Sequence, residues 1–118
     1  MKKFFALFAI PAGVVENWKK TTNPAKAKAM SDDVMKAWDK WMKDHEKDIV
    51  DKGQPLGKTK RVDAKGASNT KNGVGGYSIV QAQSHDAAAK MFGKDHPHLQ
   101  MMPGAWIEIV EIMPVPGM

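Results

Sequence analysis

Ser31-Asp32-Asp33-Val34-Met35-Lys36-Ala37-Trp38-Asp39-Lys40-Trp41-Met42-Lys43-Asp44-His45-Glu46-Lys47-Asp48-Ile49, residues 31–49, carries the clearest periodicity in the chain. Val34, Trp38, Trp41, Met42, His45 and Ile49 recur at intervals of three and four, which gathers them on one stripe of an α-helix. Asp39, Lys40, Lys43, Glu46 and Lys47 fall outside that stripe and face water. Ser31 offers an N-cap oxygen, and Asp32 and Asp33 put negative charge where the helix dipole is positive. The spacing predicts a helix that starts at Ser31 and stops at Gly53, a residue free to adopt the left-handed conformation, with Pro55 beyond it.

Outward from this helix the chain alternates. Lys3 to Ile10 is apolar on both faces and reads as a central strand ended by Pro11-Ala12-Gly13. Val14 to Met30 reads as a connection pinned by Trp18. Leu56 to Val62, rich in lysine, suits an edge strand, and Asp63 to Gly76 reads as a surface loop. Tyr77 to Gln83 is a strand with Tyr77, Ile79 and Val80. Ser84 and Asp86 open a short helix through Phe92, ended by Gly93. Asp95 to Gly104 reads as a loop, and Ala105 to Met113 as the last strand. The order is strand, long helix, strand, strand, short helix, strand, which is α+β, ferredoxin-like βαββαβ, with a four-stranded antiparallel sheet. Helices cover one sheet face, and the other is too apolar to stay wet, which points to a homodimer.

The length of 118 residues suits one domain, residues 1–118. With no cysteine, disulfides, thiolate nucleophiles and sulfur-ligated metals are excluded. The net charge of +5 is spread along the chain, with lysines interleaved with acids and no named nucleic-acid motif, so neither nucleic acid nor membrane is an expected partner. Met1-Lys2-Lys3 before Phe4 to Ile10 has the basic and apolar parts of a secretory signal, but Pro11 interrupts the run and no small-residue cleavage pattern follows. The expectation is a strand and a cytoplasmic protein.

Several segments in order, Gly75-Gly76-Tyr77-Ser78-Ile79-Val80, Ser84-His85-Asp86-Ala87-Ala88, His96-Pro97-His98-Leu99, Ile107-Glu108-Ile109 and Pro116-Gly117-Met118, together with Trp38, Trp41 and Gly53-x-Pro55-Leu56, make the chain resemble the YCII-related family. The resemblance implies a dimeric α/β barrel of two ferredoxin-like subunits. Some members resemble muconolactone-processing and dehydrochlorinating enzymes with a His and an Asp as an acid–base pair. That family's histidine falls near the start of the first helix, where this chain has Asp32, Asp33, Met35 and Trp38, so the role does not transfer by position.

His45, on the helix stripe, either moves a proton near neutral pH or is a packed ring satisfied by one hydrogen bond. His96 and His98 flank Pro97, and either serve a site together or divide, one on a backbone group and the other in water; a His-x-His pair without third and fourth ligands makes no metal site. No cofactor fingerprint is present. Glu108 shares a strand face with Trp106 and Val110 and needs a partner if covered. Trp38, Trp41, Met101 and Met102 are candidates for an apolar pocket between helix and sheet, with Tyr77 and the histidines as its polar points. The candidate catalytic groups are thus His45 and His98, and the candidate ligand-binding residues Trp38, Trp41, Tyr77, His96, Met101 and Glu108. Two functional readings follow: a small-molecule-binding protein or enzyme using acid–base chemistry on a small apolar or aromatic ligand, or a non-catalytic dimerising module that binds a protein partner.

Overall fold

The computed structural model describes residues 1–11, 13–14, 23–101 and 104–114. Its described elements are β1 (Lys2–Ala9), α1 (Pro24–Asp44), β2 (Ile49–Asp51), β3 (Thr59–Asp63), β4 (Gly66–Thr70), β5 (Val74–Ala82), α2 (His85–Met91), α3 (Pro97–Met101) and β6 (Trp106–Glu111). The fold is α+β. A four-stranded antiparallel sheet runs in the order β2-β5-β1-β6, and β3 with β4 forms a separate two-stranded ribbon. Trp18, Met102 and the closing Pro116-Gly117-Met118 lie outside the described residues.

β1 is central, as its two apolar faces require. Phe4 pairs with Val80 and Glu111, and Phe8 with Gly76 and Ile107. Side chains alternate across a strand, so Phe4, Ala6 and Phe8 point to the helices with Val80 and Ala82, while Phe5 and Leu7 point to the other face with Tyr77, Ile79, Trp106 and Val110. The first set, with Trp41, Ala88 and Phe92, is the buried core. The second face has no helix over it, and Trp106 and Val110 remain 42% and 46% exposed. Its apolar character is held in part by the stacked Phe5 and Tyr77 rings, 5.4 Å apart.

α1 differs from the expectation at both ends. It begins at Pro24, with Asn23 as N-cap accepting the Lys26 N–H at 2.8 Å. Proline at the first helical position costs no hydrogen bond there and presets φ, so Asn23-Pro24 outcompetes Ser31, which becomes an exposed interior residue. At the other end α1 stops at Asp44, a 3-10 turn over Glu46–Asp48 follows, and Ile49 already belongs to β2. Gly53 is therefore no helix stop. It sits at φ 76°, and a Cβ there would lie 1.5 Å from the Tyr77 carbonyl oxygen; glycine is required because two main chains touch.

The region from Leu56 to Gly76 also departs from the expectation. The short edge strand of the main sheet is Ile49–Asp51, Leu56 is 41% exposed, and the lysine-rich stretch pairs with Gly66–Thr70, within what read as a loop, to form the ribbon. The Asp63 carboxylate accepts the Lys65 N–H at 2.9 Å and shapes the turn. Between Asp95 and Gly104 the chain forms α3 where a loop was expected. α2 matches its reading, with Ser84 capping the Ala87 N–H at 3.1 Å.

The two N-cap signals of α1 give a discriminating test. Asn23→Ala should lower unfolding free energy by about 1 kcal/mol, whereas Ser31→Ala should leave it within about 0.5 kcal/mol, both read by urea denaturation.

Candidate functional site

Three consecutive features build a cleft at one end of the helix-covered sheet face. Gly75 and Gly76 of β5 carry no side chain, so the sheet is low there. The connection Lys52 to Pro55 folds back over it, and α1 passes above with Val34, Trp38 and Met42. The enclosed space is about 720 Å³, and its walls also include Phe8, Ile10 and His98. Asp39, Lys43, Glu46 and Lys52 stand around the apolar interior, the arrangement common in small-molecule sites. The Ser78 hydroxyl, fully buried at the cleft floor, donates to the Lys52 carbonyl at 2.8 Å and ties the folded-back connection to β5.

His98 is 6% exposed, and one ring nitrogen, Nε2, lies 2.8 Å from the Ala9 carbonyl at the end of β1. A carbonyl can only accept, so Nε2 carries the hydrogen and Nδ1 is the atom left to take or give a proton. Burial holds the ring's pKa below the ordinary histidine value, while hydrogen bonding to the Ala9 and Trp106 carbonyls works against that shift. At neutral pH His98 is thus an uncharged base on a cleft wall.

His96 supports His98. Its Nδ1 accepts the His98 backbone N–H at 3.1 Å, which places the ring hydrogen on Nε2. That Nε2 is buried without a hydrogen-bond partner. It belongs to a ring enclosed by Trp38 and Trp41, each at 4.7 Å, and by Phe92 and Phe8 at 5.4 and 5.5 Å. Both indoles meet it in T-shaped geometry, in which polarised ring edges face π clouds. Burial, then repulsion from His98 and His45, pushes the His96 pKa down to about 3. The expected division, one histidine on the backbone and one in water, does not hold: both are buried.

The remaining candidates separate. Trp38 lines the cleft, but Trp41 is core, 8% exposed, its indole N–H donating to the Met91 carbonyl at 3.3 Å. His45 caps α1, its Nδ1 2.9 Å from the Trp41 carbonyl and its ring stacked on Trp41 at 4.5 Å, and it is not among the cleft walls. Tyr77 borders the cleft, yet its ring stacks on Phe5 on the uncovered face, so the cleft meets it from the main-chain side. Glu108 accepts the Trp106 indole N–H at 3.0 Å on that same face, away from the cleft. Met101 ends α3. Residues that sequence reasoning missed include Phe8, Lys43, Lys52 and the Gly75-Gly76 pair; the adjacent glycines are a visible signal of close approach in the sequence. Among the described residues, no group of three or more His, Asp or Glu side chains is placed to hold a metal ion. Nor is any helix among them long and apolar enough to cross a membrane.

No family model matches the chain, and none of the curated proteins does. Among solved structures, it is similar to 5-chloro-2-hydroxyhydroquinone dehydrochlorinase (TftG) from Burkholderia phenoliruptrix AC1100, in complex with 2,5-dihydroxybenzoquinone. The two are 16% identical over 90% of each chain, with a TM-score of 0.48. So distant a likeness carries no residue roles, and the site rests on its own geometry.

The buried histidines fix a pH dependence. Each is held neutral in the folded protein but titrates near ~6.5 when unfolded, so their stabilisation is complete above that pH and is lost as pH falls. For His96 the loss is about 1.4 kcal/mol per pH unit until the folded ring itself protonates, or about 2 kcal/mol by pH ~5, with His98 adding in the same direction. His96→Phe should cost about 1 kcal/mol at neutral pH through the orphaned His98 N–H and should flatten the acid slope, as read by urea melts across that range.

Proposed function

We propose that this chain is a YCII-related, ferredoxin-like protein that binds a small apolar or aromatic molecule in the α1–sheet cleft and uses His98 for acid–base chemistry there. The observation that carries the reading is His98: a neutral imidazole, with one nitrogen committed to the Ala9 carbonyl, set in the wall of a cleft of about 720 Å³. An apolar space with one such base suits proton transfer to or from a substrate whose ring is held by Trp38 and Phe8. The cations Lys43 and Lys52 at the rim suit a ligand that carries or develops negative charge, and Asp39 and Glu46 restrict how much. His45, which is not among the cleft-lining residues, is left a capping role.

The family reading rests on the ordered segments from Gly75 to Ile109, and the strand order β2-β5-β1-β6 is that of a split βαβ unit. The uncovered face supports a homodimer. Phe5, Leu7, Tyr77, Ile79, Trp106 and Val110 give it an apolar patch of several hundred Å² by rough count, more than monomers ordinarily leave wet. A second copy packed sheet to sheet would form the dimeric barrel. Because Phe4 to Ala9 is the central strand of that sheet, this proposal keeps it as structure in a cytoplasmic protein.

Tryptophan fluorescence titrated with small aromatic acids, lactones and phenols tests the ligand reading. A saturable change is expected from Trp38, weakened about tenfold, equivalent to about 1.4 kcal/mol, in His98→Gln, a variant that retains a donor for the Ala9 carbonyl. A flat response across the panel from folded protein would overturn it. Independently, Leu7→Asp should convert a dimer into a folded monomer in sedimentation velocity; a wild-type monomer at micromolar concentration would remove the sheet-face reading.

A further inference from the structure

The β3–β4 ribbon has no evident role in the body that carries it. Its strands pair only with each other, and every residue from 60 to 69 is exposed, Val62 at 76%. An isolated two-stranded ribbon is marginal in water, so a ribbon of this kind calls for a surface to rest on. Its charge narrows the choice of surface. Lys58, Lys60, Arg61, Lys65 and Lys71 stand against Asp63 alone, a net of +4 within a chain whose total is +5. Among the described residues, only Arg61 of these cations has an ion pair, with Asp63 at 3.7 Å.

The complementary charge lies on the same chain but forms no ion pair with the ribbon among the described residues. Asp44, Glu46, Asp48 and Asp51 follow one another through the end of α1, the 3-10 turn and β2, with Lys47 as the one cation among them, a net of −3. None of the four has a cation within ion-pair distance among the described residues. β2 is also an edge strand with one side unpaired. Both features meet at the cleft. Glu46 is in its wall, and the ribbon's feet are Pro55 and Leu56, bridged to Gly76 and hydrogen-bonded to the Gly75 carbonyl at 3.0 Å, where Pro55, Gly75 and Gly76 form the rim.

We infer that in the sheet-to-sheet dimer each ribbon reaches across to the second copy and lays its cations along that copy's Asp44–Asp51 strip, so that the cleft mouth of each subunit is completed by its partner. The inference rests on the dimer proposed above. Strands of five residues span roughly 17 Å, close to the 19 Å thickness of the molecule. A twofold axis makes the contact reciprocal, one positive and one negative surface per copy, each satisfied once. The cleft then gains cations from outside its own chain, and an anionic ligand would be closed in by lysines that the isolated subunit cannot supply.

Charge exchange tests this. Lys60→Glu/Arg61→Glu and Asp48→Lys/Asp51→Lys should each weaken the dimer about tenfold at ~50 mM NaCl in sedimentation velocity, and much less at ~500 mM, where screening is strong. The two pairs combined should return the dissociation constant to within about threefold of wild type, the signature of a direct interaction. Because the chain has no cysteine, Lys60→Cys protein mixed with Asp48→Cys protein and a short bismaleimide should give a covalent dimer, absent from either variant with the linker alone. An unchanged dimer in both reversals, or a combined variant no tighter than the weaker single, would overturn the inference while leaving the sheet-face dimer standing. A wild-type monomer would overturn both. Ribbon-dependent binding of a mixed-sequence DNA duplex, with the dimer indifferent to reversal, would assign the cations to a nucleic acid instead.

Discussion

Phe8 is the residue on which core and cleft both depend. It is 4% exposed, and its ring lies 4.8 Å from Trp38, 6.0 Å from Phe92, 5.5 Å from His96 and 5.4 Å from His98. One side chain of the central strand thus touches the helix that roofs the cleft, the Phe92 ring that follows α2, and the two histidines at the start of α3. Its place is set by register, because Phe8 pairs with the side-chain-free Gly76 on one side and with Ile107 on the other. The glycine leaves the space, and the phenyl ring decides how much of it stays open.

The electrostatics follow from this packing. An aromatic enclosure favours neutral imidazoles, since desolvation penalises the charged form, and the two histidines then differ by what their nitrogens touch. His98 commits Nε2 to the Ala9 carbonyl in the cleft wall, whereas His96 spends one nitrogen on a backbone N–H and leaves the other among rings. Two histidines separated by Pro97, one just before α3 and one within it, thereby have separate settings, His98 in the cleft wall and His96 among aromatic rings.

Much of the fold was legible. The double-sided apolarity of β1, the Trp38–Trp41 spacing of α1 and the Ser84 cap of α2 are local patterns that tertiary packing reinforces. The errors arose where local signals competed. Asn23-Pro24 and Ser31-Asp32-Asp33 are both good helix starts, and the start falls at the first, where Asn23 caps the Lys26 N–H and Pro24 presets φ. Gly53 looks like a helix stop but answers to the Tyr77 carbonyl, a contact made across the sheet. The ribbon is built largely from Thr, Lys, Ser and Asn with Val62 as its one large apolar residue, so there was no apolar alternation for periodicity to register. For the site, the histidine pair and Trp38 were visible as types, but their burial was not, because it depends on Phe8 and Phe92 arriving from other elements. His45 and Trp41 share the helical stripe of Trp38, and a stripe alone does not say which of its members border open space.

The 19 Å thickness sets a limit of another kind. The radius of gyration is 16.2 Å, against about 13.5 Å for a compact chain of this length. A single layer of helices on one sheet has a core one side chain deep, so unfolding an isolated copy uncovers little new surface. The heat-capacity increment and denaturant sensitivity of such a chain are correspondingly small. The unfolding transition of a single copy is therefore broad, because its width varies inversely with the surface exposed and the enthalpy absorbed on unfolding.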